Sequence, residues 1–126
     1  MSDEGLTASI LDSVKKSLNI PVDVTVFDSV LIMHINTVFS KLYQLGVGPD
    51  RPFMIEGNEA EWDEFSTDPS INMVRTFVYL EVRLVFDPPS ASVLTAIEKK
   101  RDELEWRLNV ADDDPVFRTV QNGIDE

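Results

Sequence analysis

The stretch DPSINMVRTFVYLEVRLVFDPP, from Asp68 to Pro89, constrains the fold more than any other part of the chain. Its two ends are marked. Asp68 is a capping residue and Pro69 suits a first helical turn, where a missing N–H costs nothing. Asp87-Pro88-Pro89 stops the helix, because proline cannot continue the hydrogen-bond ladder and restricts the residue before it. At about 100° per residue, Asn72, Thr76, Tyr79 and Arg83 share one narrow strip. Ile71, Met73, Val74, Phe77, Val78, Leu80, Val82, Leu84, Val85 and Phe86 cover most of the remaining circumference. Such a helix needs neighbours on several sides. The spacing therefore predicts a central helix with the other helices packed around it, and room for a second subunit.

The flanking segments supply those neighbours. Leu6, Ile10, Leu11, Val14 and Leu18 fall within one helical arc, with Asp12, Lys15 and Lys16 away from it; Asn19-Ile20-Pro21 ends this short first helix. Thr25 and Asp28 have the spacing of a capping box for a second helix, although Asp is shorter than the usual Glu. Phe27, Leu31, Ile32, Ile35, Val38, Phe39, Leu42 and Tyr43 form its apolar face, opposite Ser29, Met33, Asn36, Thr37, Ser40 and Gln44. Gly46 is placed to close the helix in a left-handed conformation. GVGPDRP is a loop by composition. In FMIEGNEAEW, Gly57-Asn58 suits a two-residue hairpin turn, which would set Ile55 opposite Ala60 and Phe53 opposite Trp62. A lone hairpin is marginal, so this flap would lean on the helices. Asp63, Glu64 and Phe65 suit a helical turn leading to Asp68. Ser90 or Ser92 caps a last helix to about Leu108, with Val93, Leu94, Ile97, Leu104 and Leu108 as its core stripe. Lys99–Glu103 and Glu103–Arg107 are i,i+4 pairs on its solvated side. The expected fold class is mainly α: a small four-helix bundle with a short β-hairpin flap between the second and third helices. Residues 1–110 make the helical domain and residues 111–126 an acidic C-terminal tail.

Composition narrows the function. The 126 residues suit one domain, and 43% hydrophobic content supports a real core. The longest apolar run falls well short of the roughly 18 residues of a membrane span, and Arg75, Glu81 and Arg83 interrupt the central helix. The start, MSDEG, lacks the basic and apolar regions of a secretory signal. There are no cysteines, which removes disulfides, thiol nucleophiles and thiolate metal sites. The net charge of −12 repels phosphate and anionic lipid at long range, so the chain is a poor DNA grip. It suits a protein that stands beside DNA, or one that docks on a basic protein surface.

Signals for chemistry are sparse. His34 is the single histidine and lies at the edge of an apolar face. It reads as a boundary residue, with proton transfer as the functional alternative. Glu56, Glu59, Glu61, Asp63 and Glu64 form the densest acidic cluster. They read as a solvated flap; the alternative is acid–base work or divalent-metal binding, although the spacing is not that of a calcium loop. No phosphate-cradling loop, serine elbow or HExxH motif is present, and the expectation is no enzyme, no cofactor and no metal.

Four further features concern contacts. Glu81 sits on the apolar part of the central helix with Phe77 and Val85 as its i±4 neighbours, so no cation waits beside it. Arg101 sits on the apolar stripe of the last helix. An unpaired buried carboxylate is expensive. Glu81 is therefore expected to meet Arg101 or an arginine of a neighbouring subunit, unless it snorkels to water at a groove edge. Trp106 projects beside Thr95, Lys99 and Asp102, nearly opposite the core stripe. It is either covered by the tail or flap, or it is a contact residue. Val116 and Phe117, apolar residues in an acidic extension, raise the same question.

Two segments carry a family resemblance: SVLIMHINTVFSKLYQLGVGP, ending at Pro49, and VRTFVYLEVRLVFDPPSASVLTAIEKKRDELEWRLNV, from Val74 to Val110. In their INTVF…LxQLGVGP and LxVRLxFDPP…ELEWRxNV blocks the chain resembles the small head–tail connector (head-completion or adaptor) proteins of tailed phages. The similarity runs from about Leu6 to Val110. The resemblance implies a small helical bundle with a mobile extended segment. It implies a subunit that forms a ring with copies of itself beneath the portal protein, extends the DNA channel and docks the next neck or tail protein. DNA would pass nearby without specific binding, and no membrane is involved. The protein would reside in the virion neck, and in the host cytoplasm before assembly. No cofactor or catalytic residue comes with that role. Glu81, Arg101, Trp106, Val116 and Phe117 are the candidate subunit or partner contacts. The alternative reading is an acidic helical binding module, or nucleic-acid mimic, that blocks a basic protein surface. An enzyme using the Glu56–Glu64 carboxylates is the remaining class.

Overall fold

A computed structural model describes residues 8–113, with side chains for residues 8–110. Among the described residues five helices follow one another: α1 Ile10–Ser17, α2 Asp28–Gln44, α3 Trp62–Phe65, α4 Ile71–Phe86 and α5 Ala91–Asp113. The central helix is α4. It packs against α1 and α2 and against α5. Val74, Phe77, Val78 and Val82 are its fully enclosed residues. Burying each such side chain stabilises the fold by roughly 1.5–3 kcal/mol.

The ends of α4 follow from its sequence. The helix starts two residues later than expected: its N-cap is Ser70, without a side-chain cap, and Asp68 and Pro69 lie in the turn before it, where Asp68 Oδ1 accepts from the Ser70 N–H at 2.8 Å and Asp68 O from the Ile71 N–H at 2.9 Å. The Ser70 backbone bond, then its side-chain bond, hold the Asp68 carboxyl below its ordinary pKa. At the other end the Asp87 N–H still bonds Arg83 O, and Pro88-Pro89 follow.

Two helices close with the same left-handed device. Gly46 has φ 83°; its N–H bonds Tyr43 O and the Val47 N–H bonds Leu42 O, a complete Schellman motif at the end of α2. Asn19, with φ 62°, does the same for α1 through Asn19 N–H to Lys16 O and Ile20 N–H to Lys15 O. The last helix runs to Asp113, five residues beyond the expected Leu108.

The expected β-hairpin flap does not form. Among the described residues there is no β-strand, and the single bridge is an isolated antiparallel pair of Ser9 and Glu61. The reason lies in competing partners for the two arms. The Ile55 N–H donates to Asn36 Oδ1 at 2.8 Å, and Ile55 O accepts from Asn36 Nδ2 at 3.0 Å. The other arm turns to α1: Ala60 O accepts from the Ile10 N–H at 3.0 Å and Asn58 O from the Ser9 hydroxyl at 2.9 Å. With these groups satisfied by α1 and α2, the arms have no need of each other. The segment from Phe53 to Ala60 is an irregular strap across the helices, and Phe53 packs edge-on against Phe39 and Phe65 at 5.1 and 5.4 Å.

Two other expectations are corrected at the α1–α2 connection. Lys15 is enclosed, at 1% exposure, and Asp12 is buried as well. The connector folds back over Lys15, whose Nζ donates to Val22 O at 2.9 Å and lies 2.8 Å from Asp28 Oδ1. A buried ammonium is tolerated because it is paired and hydrogen-bonded. Asp28 pairs with Lys15 there, and the Thr25–Asp28 capping box is not made. The N-terminal flank of α2 is Phe27, without a side-chain cap, and the Asp28 N–H bonds Thr25 O.

Candidate interaction surface

The interior beside α3 is an aromatic corner. Phe39 from α2 lies 5.1 Å from Phe65 and 6.2 Å from Trp62, and Trp62 meets Tyr79 edge-on at 6.1 Å. The polar edges are satisfied: Trp62 Nε1 donates to Ser13 Oγ at 2.8 Å, and Arg75 donates to the Tyr79 hydroxyl. The guanidinium of Arg75 also sits 5.5 Å over the Trp62 ring. Gly48 completes the corner. With φ +99° and a Cβ position 2.4 Å from Phe65 Cζ, any other residue here would be strained and would push on the Phe65 ring, so the GVG loop is a packing element as well as a turn.

The α4–α5 seam is built differently. Leu94, Ile97, Arg101, Leu104 and Leu108 follow a 3-4-3-4 spacing, yet only Leu104 and Leu108 are fully enclosed. Val93, expected in the stripe, is 45% exposed. At the middle of the stripe, Arg101 Nη1 lies 3.4 Å from Glu81 Oε2, so the structure brings these two residues together within one chain. Sequence reasoning missed two members of the cluster. Lys41 of α2 sits 3.1 Å from both Glu81 and Glu105, tying three helices together. The missed signal was the one that flagged Glu81: Lys41 has Thr37 and Leu45 at i±4, and the only acid on its own helix, Asp28, is more than three turns away. Burial lowers the pKa of Lys41, but its hydrogen bonds and Coulombic attraction to Glu81 and Glu105 outweigh this and leave it raised. For Arg101, burial is likewise outweighed by the hydrogen bond to Asp102 and the charge of Glu81.

The outer surface has three characters. The Glu56–Glu64 strap is an exposed acidic ridge whose carboxylates do not converge on a cation position; among the described residues no cluster could hold a metal ion. His34 is half-buried. In contrast, the outer face of α2 from Ser29 on and the turn before the helix are partly apolar, with Val30 40% and Met33 58% exposed on the helix and Val26 74% exposed in the turn. Phe27 joins it to the end of α4 through an edge contact with Phe86 at 5.4 Å. Trp106 projects from α5, 64% exposed, so the strap does not cover it; Val116 and Phe117 lie outside the described residues. Several apolar groups thus remain uncovered by the described chain, which marks a surface built for protein contact.

Among the described residues the arrangement is that of a helical packing unit with exposed apolar groups on more than one face. Compared with known families, residues 10–115 match the phage connector protein family. The chain belongs to the phage connector protein family. No curated protein and no solved structure gives a significant match. The connector is therefore a structural protein of the phage particle, of a kind that associates with other head or tail proteins. No helix among its described residues is long and apolar enough to cross a membrane.

Proposed function

We propose that this connector is a head–tail connector subunit that forms a ring beneath the portal, extends the DNA channel and docks the next neck or tail protein. The observation that carries the reading is the family match over residues 10–115, most of the chain. Physical features support it. A closed ring joins two different faces of each subunit, and the connector has two separate uncovered apolar features, on α2 and on α5. The net charge of −12 suits a wall past which DNA moves without sticking. In this reading the chain waits in the host cytoplasm before assembly, and Val116 and Phe117 in the acidic tail anchor a neighbouring neck protein. Catalysis has no part in the role.

Mixing the purified connector with portal-bearing, DNA-filled heads that lack it tests this proposal. Co-sedimentation with those heads and improved DNA retention are expected. Equal binding to heads without a portal would contradict it, as would no binding to heads together with tight binding to a soluble basic protein.

A further inference from the structure

We propose that, in the ring, each connector lays Val30 and Met33 of its α2, with Val26 of the turn before it, against the Trp106 face of α5 on the next copy. This rests on the ring reading above and adds which surfaces meet. The chain carries 23 acidic and 11 basic residues, so two copies repel wherever bare carboxylates face one another. On α2, every exposed position from Ser29 to Gln44 is uncharged, and the exposed Val30 and Met33 lie among them. Charge depletion with exposed methionine is the composition of an interface centre.

The face around Trp106 meets the same requirement by another route. Among the described side chains, the three carboxylates nearest the indole are already paired within the chain. Asp102 lies 2.7 Å from Arg101, Glu103 3.0 Å from Arg107 and Glu105 3.1 Å from Lys41. Beside the indole is an open hollow of about 270 Å³ lined by Asp102, Glu105, Trp106 and Asn109. An exposed tryptophan beside a hollow is the usual form of a binding hot spot. A basic partner would gain nothing from the neutral α2 face and would be drawn to the Glu56–Glu64 ridge. A second copy of this chain finds both halves of the contact, on different faces, as a head-to-tail ring requires.

The absence of cysteine makes the test clean. Tagged Met33→Cys and untagged Asn109→Cys chains are mixed in equal amounts, bound to connector-deficient heads and oxidised. Mixed disulfide dimers should dominate over like pairs. Separately, Met33→Glu and Trp106→Ala, both at exposed positions, should leave melting unchanged and reduce head-bound copies by about tenfold or more. If wild-type rings form but the mixed disulfide is absent, or only Met33→Cys pairs with itself, this pairing is wrong while the ring stands. Wild-type binding by both Met33→Glu and Trp106→Ala would overturn it as well. Failure of the wild type to form a ring at all would remove the ring reading and this contact together.

Discussion

The aromatic corner and the α4–α5 seam are two ways of holding helices in one small protein. In the corner, Phe39, Phe65 and Trp62 are almost fully enclosed, ring against ring, and the backbone of the strap is bonded to α1 and α2. In the seam, two enclosed leucines flank an ionic cluster whose members stay between 14% and 38% exposed. Shape holds the first region, and charge contributes much of what holds the second. Charged contacts near a surface are screened by salt, whereas close packing is not. The corner is thus the fixed part of the connector, and α5 is the part whose attachment responds to its surroundings.

The largest expected effect lies in the corner. Phe39→Ala removes a ring that touches Phe53, Trp62 and Phe65, and should cost about 3–5 kcal/mol in urea unfolding, with little dependence on salt. Gly48→Ala should cost about 1–3 kcal/mol, from the left-handed backbone and the overlap with Phe65. A loss below a few tenths would show the corner to be looser than described. In the seam, Glu81→Ala leaves Lys41 and Arg101 without their shared carboxylate. After discounting for exposure it should cost about 1–2 kcal/mol at low salt and less at about 1 M salt. Equal losses at both salt concentrations would erase the distinction between the two regions.

The smallest effect is one of pH. The folded pKa of Lys41 is raised, so its stabilisation is complete below the unfolded value of about 10.4 and is lost as pH rises through the folded value. The stability difference between wild type and Lys41→Met should therefore be constant near neutrality and shrink in the alkaline range above about pH 10. A difference that grows there would contradict the pairing with Glu81 and Glu105.

The same contrast explains what could be seen in the sequence. Helices α2 and α4 were legible because periodicity and end signals agree locally: Gly46 closes one, Asp68 and Pro88-Pro89 bracket the other. The hairpin was misjudged because Gly57-Asn58 is a sound local turn signal, while the deciding partners, Asn36 and Ser9, are far away in sequence. Lys15 was placed in water by helical angle alone; only the folding back of residues 18–28 encloses it. The Glu81–Arg101 contact could be anticipated because a charge on an apolar stripe demands a partner. Lys41 and Glu105 have polar or exposed neighbours on their own helices, where a solvated role looks equally good until the third helix is in place.

A three-dimensional reconstruction of connector-deficient heads after addition of the purified protein tests the account most directly. The account predicts a closed ring of copies under the portal, with α2 of each copy against α5 of the next. Copies that bind without touching one another, or heads with no added density at the portal vertex, would contradict it.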